Sequence, residues 1–188
     1  WIPASYPWDL FNMANSLFKD FKFKKLGKIE KGAVIKGNIY LGEGSIIKSG
    51  TYIEGPVYIG NNSKIGPNAY LREGTVIGNN SSIGAAVEIK NSIIGDNTNI
   101  NHLSYVGDSI IGSNVNLGAG TITANLRHDN ATIKTLVKDG LIDTKRRKFG
   151  TIIGDNVKIG INTIIYPGRK IWPFKTTLPG ENVKEDLN

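Results

Sequence analysis

The most regular feature of the chain is an aliphatic residue at every sixth position. Ile29, Ile35, Leu41, Ile47, Ile53, Ile59, Ile65, Leu71, Ile77, Ile83 and Ile89 follow one another at a strict interval of six. A helix, at 3.6 residues per turn, would spread these side chains around its whole circumference. A plain strand alternates every two residues. A short strand followed by a corner, repeated, fits the interval: one aliphatic per side points inward and stacks on its equivalents in the neighbouring coils of a β-solenoid. The interval slips by one residue between Ile89 and Ile94, continues through Ile100 and Val106, slips again to Ile111 and Leu117, and resumes at Ile153, Ile159 and Ile165. The polar stretch between, about Arg127 to Phe149, reads as a long loop extruded from the solenoid. Gly follows the aliphatic at Gly42, Gly60, Gly66, Gly78 and Gly84, and Asn, Ser or Gly crowd the positions after most of them. These residues predict tight corners at positive φ. Beyond Lys170, in "WPFKTTLPGENVKEDLN", the hexads fade.

The first 25 residues are patterned differently. Leu10, Met13, Ala14, Leu17, Phe18 and Phe21 recur at spacings of three and four, which predicts an amphipathic helix from Asp9 to Phe21, capped by Asp9 and bounded by Pro7. The chain therefore divides into a helical segment, 1–25, and an all-β domain, 26–188. At 188 residues one core is expected.

Composition narrows the chemistry. There is no cysteine, so disulfides, thiolate nucleophiles and Cys-ligated metals are excluded. No run of eighteen apolar residues is present, and "WIPASYPWDL" lacks a basic start followed by an apolar stretch, so a soluble cytoplasmic protein without membrane partners is expected. The net charge of +7 favours anionic partners. Its two clusters, Lys19 to Lys28 and "KRRK" at Lys145 to Lys148, match no recognised nucleic-acid motif, so phosphorylated small molecules are expected in preference to nucleic acid.

A solenoid does not need His, Tyr and Arg at its corners, so departures from the repeat mark candidate chemistry. His102 and Tyr105 stand in "NHLSYVGDSIIGSNVNLGAGTITAN". By itself His102 could be a surface imidazole at a turn. Arg72 and Lys90 each occupy the slot after a hexad aliphatic, 18 residues or three hexads apart, so in a solenoid of three hexads per coil they would stack on one side. Lys36, Lys48, Glu30 and Glu54 fill the same slot elsewhere, so the slot alone does not establish a binding role. The loop adds His128, read as solvated, and Lys134 and Lys148, candidates for contacts with phosphate or coenzyme.

The hexads, with "AYLREGT", "VEIKNSIIGDN" and the long His102 motif, resemble the hexapeptide-repeat acyltransferase superfamily. Over residues 68 to 125 they resemble the acetyltransferase domain of bifunctional enzymes that make UDP-N-acetylglucosamine, and the divergent loop is similar to the archaeal branch. The resemblance implies a left-handed parallel β-helix, a homotrimer with sites between prisms, acetyl-CoA as co-substrate, no metal, and glucosamine 1-phosphate as acceptor, with galactosamine 1-phosphate a second one. Position by position it implies His102 as catalytic base, Tyr105, Asn116 and Asn125 as sugar-phosphate contacts, and Arg72 with Lys90 as the phosphate pair. It makes Ala119 the residue whose backbone N–H meets the acetyl oxygen. The segment "YPWDLFNMAN" is similar to the end of a sugar-phosphate nucleotidylyltransferase domain, which implies such a domain upstream. Where a serine near the coenzyme thiol is expected, Ile161 stands.

The chemistry requires such groups. An amine must be neutral to attack a thioester, and imidazole, with an ordinary pKa of about 6.5, can take its proton near neutral pH. A positioned general base contributes roughly 10²- to 10⁴-fold. Charge building on the acyl oxygen calls for an approachable N–H, as in "GAGT". An alternative is a non-catalytic β-helix that oligomerises or regulates a nucleotidylyltransferase. A trimeric zinc prism of the carbonic-anhydrase type takes three histidines, and only His102 and His128 are available.

Overall fold

The computed structural model describes residues 3–188; Trp1 and Ile2, which open the expected 1–25 segment, lie outside the described residues. Three parallel sheets form the faces of a prism. Face A climbs from Lys24–Lys25 through Ile39–Leu41, Val57–Ile59, Thr75–Ile77, Ile93–Ile94, Ile110–Ile111 and Thr151–Ile153 to Arg169–Ile171. Face B runs from Lys28–Ile29 to Lys158–Ile159, and face C from Val34–Lys36 to Asn182–Val183. The chain visits A, B and C in turn, so each strand pairs with the one a full circuit away. Thr75 lies opposite Val57, an offset of 18, whereas Tyr105 lies opposite Glu88, an offset of 17. The slips in the hexads are thus coils one residue shorter. The hexad aliphatics fill the axis: Ile59, Ile77 and Ile83 are among those completely buried. Burying each such side chain contributes about 1.5–3 kcal/mol.

The corners divide the labour between two residue types. Positive φ falls on Asn62, Asn80, Asn97, Asn114 and Asn156, and on Gly44 at the equivalent place. The glycine directly after the aliphatic does something else. At Gly42, Gly60 and Gly78 φ is negative, and an added Cβ would lie 2.6 Å from the Gly60 carbonyl carbon, 2.8 Å from that of Gly78 and 2.7 Å from that of Gly95, respectively. The expectation of positive φ therefore holds at Gly66 (φ +89°) but not at Gly42, Gly60, Gly78 or Gly84, where glycine lets one coil's backbone rest on the next. The following residue carries a ladder: Asn61 Oδ1 accepts from Glu43 N, Asn79 Oδ1 from Asn61 N, Asp96 Oδ1 from Asn79 N and Asp155 Oδ1 from Ser113 N, all at 2.7–2.9 Å.

The helix covers Leu10–Phe18 and is preceded by a 3₁₀ turn at Pro7–Asp9. It stops short of the expected Phe21, and Asp9, though at its N-cap position, makes no side-chain capping hydrogen bond to it. Asp9 already has helical dihedrals, and its carboxylate reaches back to the N–H groups of Ser5 and Tyr6 at 2.8 and 2.9 Å. The polar excursion after Arg127 leaves the solenoid as expected but is ordered. Lys134–Val137 and Gly140–Asp143 form an antiparallel hairpin. Ile133 and Phe149 bury themselves with Trp8, Phe11 and Ile110 in a second small core on face A. Phe149 meets Trp8 and Phe11 edge-on at ring separations of 5.9 and 6.4 Å. The prism also continues past Lys170: Ile171 and Val183 are buried, and Thr177 occupies the hexad slot between them. Among the described residues no helix is long and apolar enough to cross a membrane.

Candidate functional site

Strand pairing sets Arg72 and Lys90 on consecutive rungs at the end of face C, next to the corner leading to face A. Tyr70, Glu88 and Tyr105 form the adjacent outward column. Both cations have internal partners. Arg72 Nη1 donates to Glu88 Oε1 at 3.0 Å, and its guanidinium lies 5.6 Å from the Tyr70 ring centre. Glu88, by this bond, holds the guanidinium above its ordinary pKa against partial burial. One of five N–H donors is spent on Glu88, and the side chain is more than a third exposed, so the fork retains donors for a ligand. Lys90 Nζ sits 3.1 Å from the Asp108 carboxylate in a largely buried pair.

Asp108 is the hub of this corner. Its carboxylate also accepts from Asn91 Nδ2 at 2.7 Å and Asn125 Nδ2 at 2.5 Å, and Asn125 Nδ2 in turn donates to the Tyr105 hydroxyl at 3.1 Å. Burial, then the Asp108 charge, pushes the Tyr105 phenol above its ordinary pKa, with Glu88 adding to the effect; the Asn125 hydrogen bond and Arg72 oppose them. Arg72, Lys90, Tyr105 and Asn125 thus gather on one surface. Asp108 and Glu88 were not anticipated. Coil arithmetic puts Asp108 in a corner column, since Gly74, Asn91, Asp108 and Asn125 are spaced by 17, the length of the shortened coil, but does not mark it as a site residue.

His102 ends the strand Asn99–His102 on face B, at the corner turning towards face C, with its side chain exposed. Leu103 takes the left-handed corner conformation at φ +50°, and the His102 carbonyl accepts from Ser104 Oγ at 2.7 Å and from Gly120 N in the coil above at 3.4 Å. Ala119 therefore stands one coil above His102. Its N–H donates to no backbone carbonyl among the described residues, while its carbonyl accepts from Asn162 N at 2.7 Å. Ile161 lies half-exposed on the next rung. Asn116 is not with Tyr105: it points out of face B, between Asn99 and Lys158, three residues or about 10 Å along the strand from the Ala119 corner.

The two loop lysines sit higher on the prism. Lys134, exposed, lines a cavity of about 660 Å³ together with Leu126, His128, Tyr166, Arg169 and Lys184. His128 is exposed, as expected of a loop residue, yet faces this cavity. Lys148 bridges to Leu126 where the loop returns to the prism. The cavity adjoins the surface that carries Arg72, Lys90, Tyr105 and Asn125, because Ala124 and Leu126 flank Asn125. Among the described residues no cluster of three His, Cys, Asp or Glu side chains is arranged to hold a metal ion.

Comparison with known proteins fits this geometry. The model of the GMPPB C-terminal domain family matches residues 53–178. The chain is 46% identical over 188 residues to a bifunctional sugar-1-phosphate nucleotidylyltransferase/acetyltransferase of Sulfurisphaera tokodaii, covering 100% of this chain and 47% of that protein. It is 43% identical over 190 residues to the bifunctional protein GlmU of Methanococcus aeolicus, covering 99% and 46%. Against the bifunctional protein GlmU of Methanocaldococcus jannaschii it is 45% identical over 171 residues, covering 91% and 42%. The chain spans about half the length of these relatives. With its hexad-built parallel β-helix and this match over two-thirds of its length, the chain belongs to the GMPPB C-terminal domain family.

Proposed function

We propose that this chain is an amino-sugar-1-phosphate N-acetyltransferase that moves the acetyl group of acetyl-CoA to the amine of glucosamine 1-phosphate, with galactosamine 1-phosphate a second acceptor. The observation that carries this reading is the prism corner where the exposed His102 lies one coil below the Ala119 N–H, which meets no backbone carbonyl among the described residues, next to a face bearing Arg72, Lys90, Tyr105 and Asn125. Acetyl-CoA supplies the thioester. His102 accepts the proton released as the amine attacks, and the Ala119 N–H meets the charge that builds on the acyl oxygen. Gly118 and Gly120 leave that N–H open to close approach. Arg72 offers a fork to the sugar phosphate and Lys90 a point charge, while Lys134 and Lys148 approach from the loop.

Asn116 looks out of face B and Tyr105 out of face C, so they can act on one substrate only if a second prism lies against the corner. The half-exposed Ile122, Ile161 and Ile164 and the exposed Leu103 give such a neighbour apolar surface to cover. A homotrimer with shared sites satisfies this requirement. Within the longer polypeptide we place a nucleotidylyltransferase domain upstream, which would consume the N-acetylated sugar 1-phosphate.

The test is release of free thiol from acetyl-CoA, followed colorimetrically with glucosamine 1-phosphate present or absent; a protein without cysteine adds no background. Release should need the sugar phosphate and should fall at least 10²-fold in His102→Ala. Full turnover in that variant refutes the assignment of the base. No release from a folded oligomer favours a non-catalytic β-helix instead.

A further inference from the structure

We propose that Asp108 is a positioning residue for the acceptor surface: its carboxylate fixes the Asn125 amide so that the Tyr105 hydroxyl meets a ligand as a hydrogen-bond donor. This rests on the reading of face C as the acceptor-binding surface. Asp108 is 4% exposed and stands at φ +49° in the corner column between Asn91 below and Asn125 above. A buried carboxylate is costly unless several donors satisfy it. Here three side chains converge on it, Lys90 at 3.1 Å, Asn91 at 2.7 Å and Asn125 at 2.5 Å.

The consequence lies in the donor count at Asn125. An amide nitrogen carries two hydrogens. One goes to Asp108 and the other to the Tyr105 oxygen at 3.1 Å, so the amide cannot flip without facing its carbonyl oxygen towards a carboxylate. The Tyr105 oxygen, now an acceptor for Asn125, is left with its own proton to donate outwards. That polarity suits a ligand rich in acceptor oxygens, such as a phosphate monoester. Lys90 offsets the Asp108 charge, and Glu88 and Arg72 are the other charged groups near the phenol. An asparagine at position 108 tolerates the same backbone conformation but offers one accepting oxygen where three donors converge.

The experiment compares wild type, Asp108→Asn, Asn125→Ala and the double variant. Steady-state kinetics are combined with NMR of protein labelled at tyrosine ¹³Cζ, the Tyr105 resonance being assigned with Tyr105→Phe. Asp108→Asn should move the Tyr105 resonance and leave the remote tyrosines in place. It should raise the KM for glucosamine 1-phosphate about tenfold with little change in the KM for acetyl-CoA. In the double variant the KM should rise no further than in Asn125→Ala, because the two residues act as one unit. A Tyr105 resonance unmoved by Asp108→Asn, or single losses that multiply in the double variant, overturns the proposal. Should an unpaired Lys90 ammonium unfold Asp108→Asn, the Lys90→Met/Asp108→Asn pair removes both charges and the same resonance decides. An inactive wild type would instead refute the acetyltransferase reading, and the Tyr105 resonance would still judge the positioning.

Discussion

Adding one methyl group at Gly78 should cost more stability than deleting most surface side chains. A Cβ there would lie 2.3 Å from Asp96 Oδ1, 2.7 Å from the Gly95 carbonyl carbon and 2.8 Å from Asp96 N. Ordinary contact needs about 3.4 Å or more, so the coil above must rise by roughly 0.7 Å. Two of the contacted atoms are backbone, held by Gly78 N to Ile94 O at 2.9 Å, Asn79 N to Asp96 Oδ1 at 2.7 Å and Gly95 N to Ile111 O at 2.8 Å. Weakening two such bonds costs about 2 kcal/mol, and overpacking adds about 1–3 kcal/mol. The sum, about 3–5 kcal/mol, corresponds to a fall in melting temperature of roughly 6–20 °C for a chain of this size. Two further glycines supply the controls. At Gly180 a Cβ meets nothing within 4 Å but φ is +74°, so Gly180→Ala should cost only the conformational strain, about 1–2 kcal/mol. At Gly140 neither constraint applies, and Gly140→Ala should stay within about 0.5 kcal/mol. Thermal unfolding of the three variants by circular dichroism ranks them. If Gly78→Ala melts with Gly140→Ala, close approach of the backbones is not why glycine follows the hexad aliphatic.

Two more tests concern buried and loop groups. Thr51 is fully buried and its hydroxyl has no hydrogen-bond partner among the described residues, so Thr51→Val, of the same shape, should raise stability by up to about 1–2 kcal/mol, and a lower melting temperature would contradict this. In the loop, the carboxyls of Asp129 and Asp143 are held below their ordinary pKa, Asp129 chiefly by Arg127 and Asp143 chiefly by the Lys145 N–H. Depressed carboxyls stabilise the folded form fully above the ordinary carboxylate pKa and lose that contribution as pH falls through their folded values. Loop amide signals in ¹⁵N NMR should therefore report ordered turns at pH 6 that loosen below about pH 3, before the prism unfolds. Loop and prism loosening together would refute the local origin.

The scaffold was legible because its core uses one side chain per hexad, and Ile29 through Ile165 announce that period. It became illegible where a polar residue took the slot: Thr177, at the interval of six after Ile171, hides the coil that carries Val183. The helix end was misread because Phe21 continues the apolar spacing beyond the last helical residue, Phe18, and packs edge-on against it instead, at 5.0 Å. Of the candidate site, Arg72 and Lys90 stack by arithmetic only if a coil holds three hexads, which the family resemblance supplied and the repeat by itself did not. Asp108 could not be told by type from Asp96 and Asp155, corner aspartates that merely tie one coil to the next. Only its place against Lys90 and Asn125 separates it from them. In the proposed trimer the pairing of Asn116 with Tyr105 would rest on a neighbouring prism, which no single chain's residue pattern reports.

The excursion between Asn125 and Phe149 has an architectural consequence. Its two ends meet at the same corner, where Phe149 N donates to Asn125 O at 2.9 Å. The consecutive face A strands below and above it, Ile110–Ile111 and Thr151–Ile153, pair in register as though the excursion did not lie between them. Loop closure grows only slowly more costly with length, by about 0.6 kcal/mol per doubling, and the coil count below and above is indifferent to it. The prism thus works as a chassis with a socket: a cover over the upper face can be lengthened, shortened or exchanged at that corner without re-indexing a single rung beneath it.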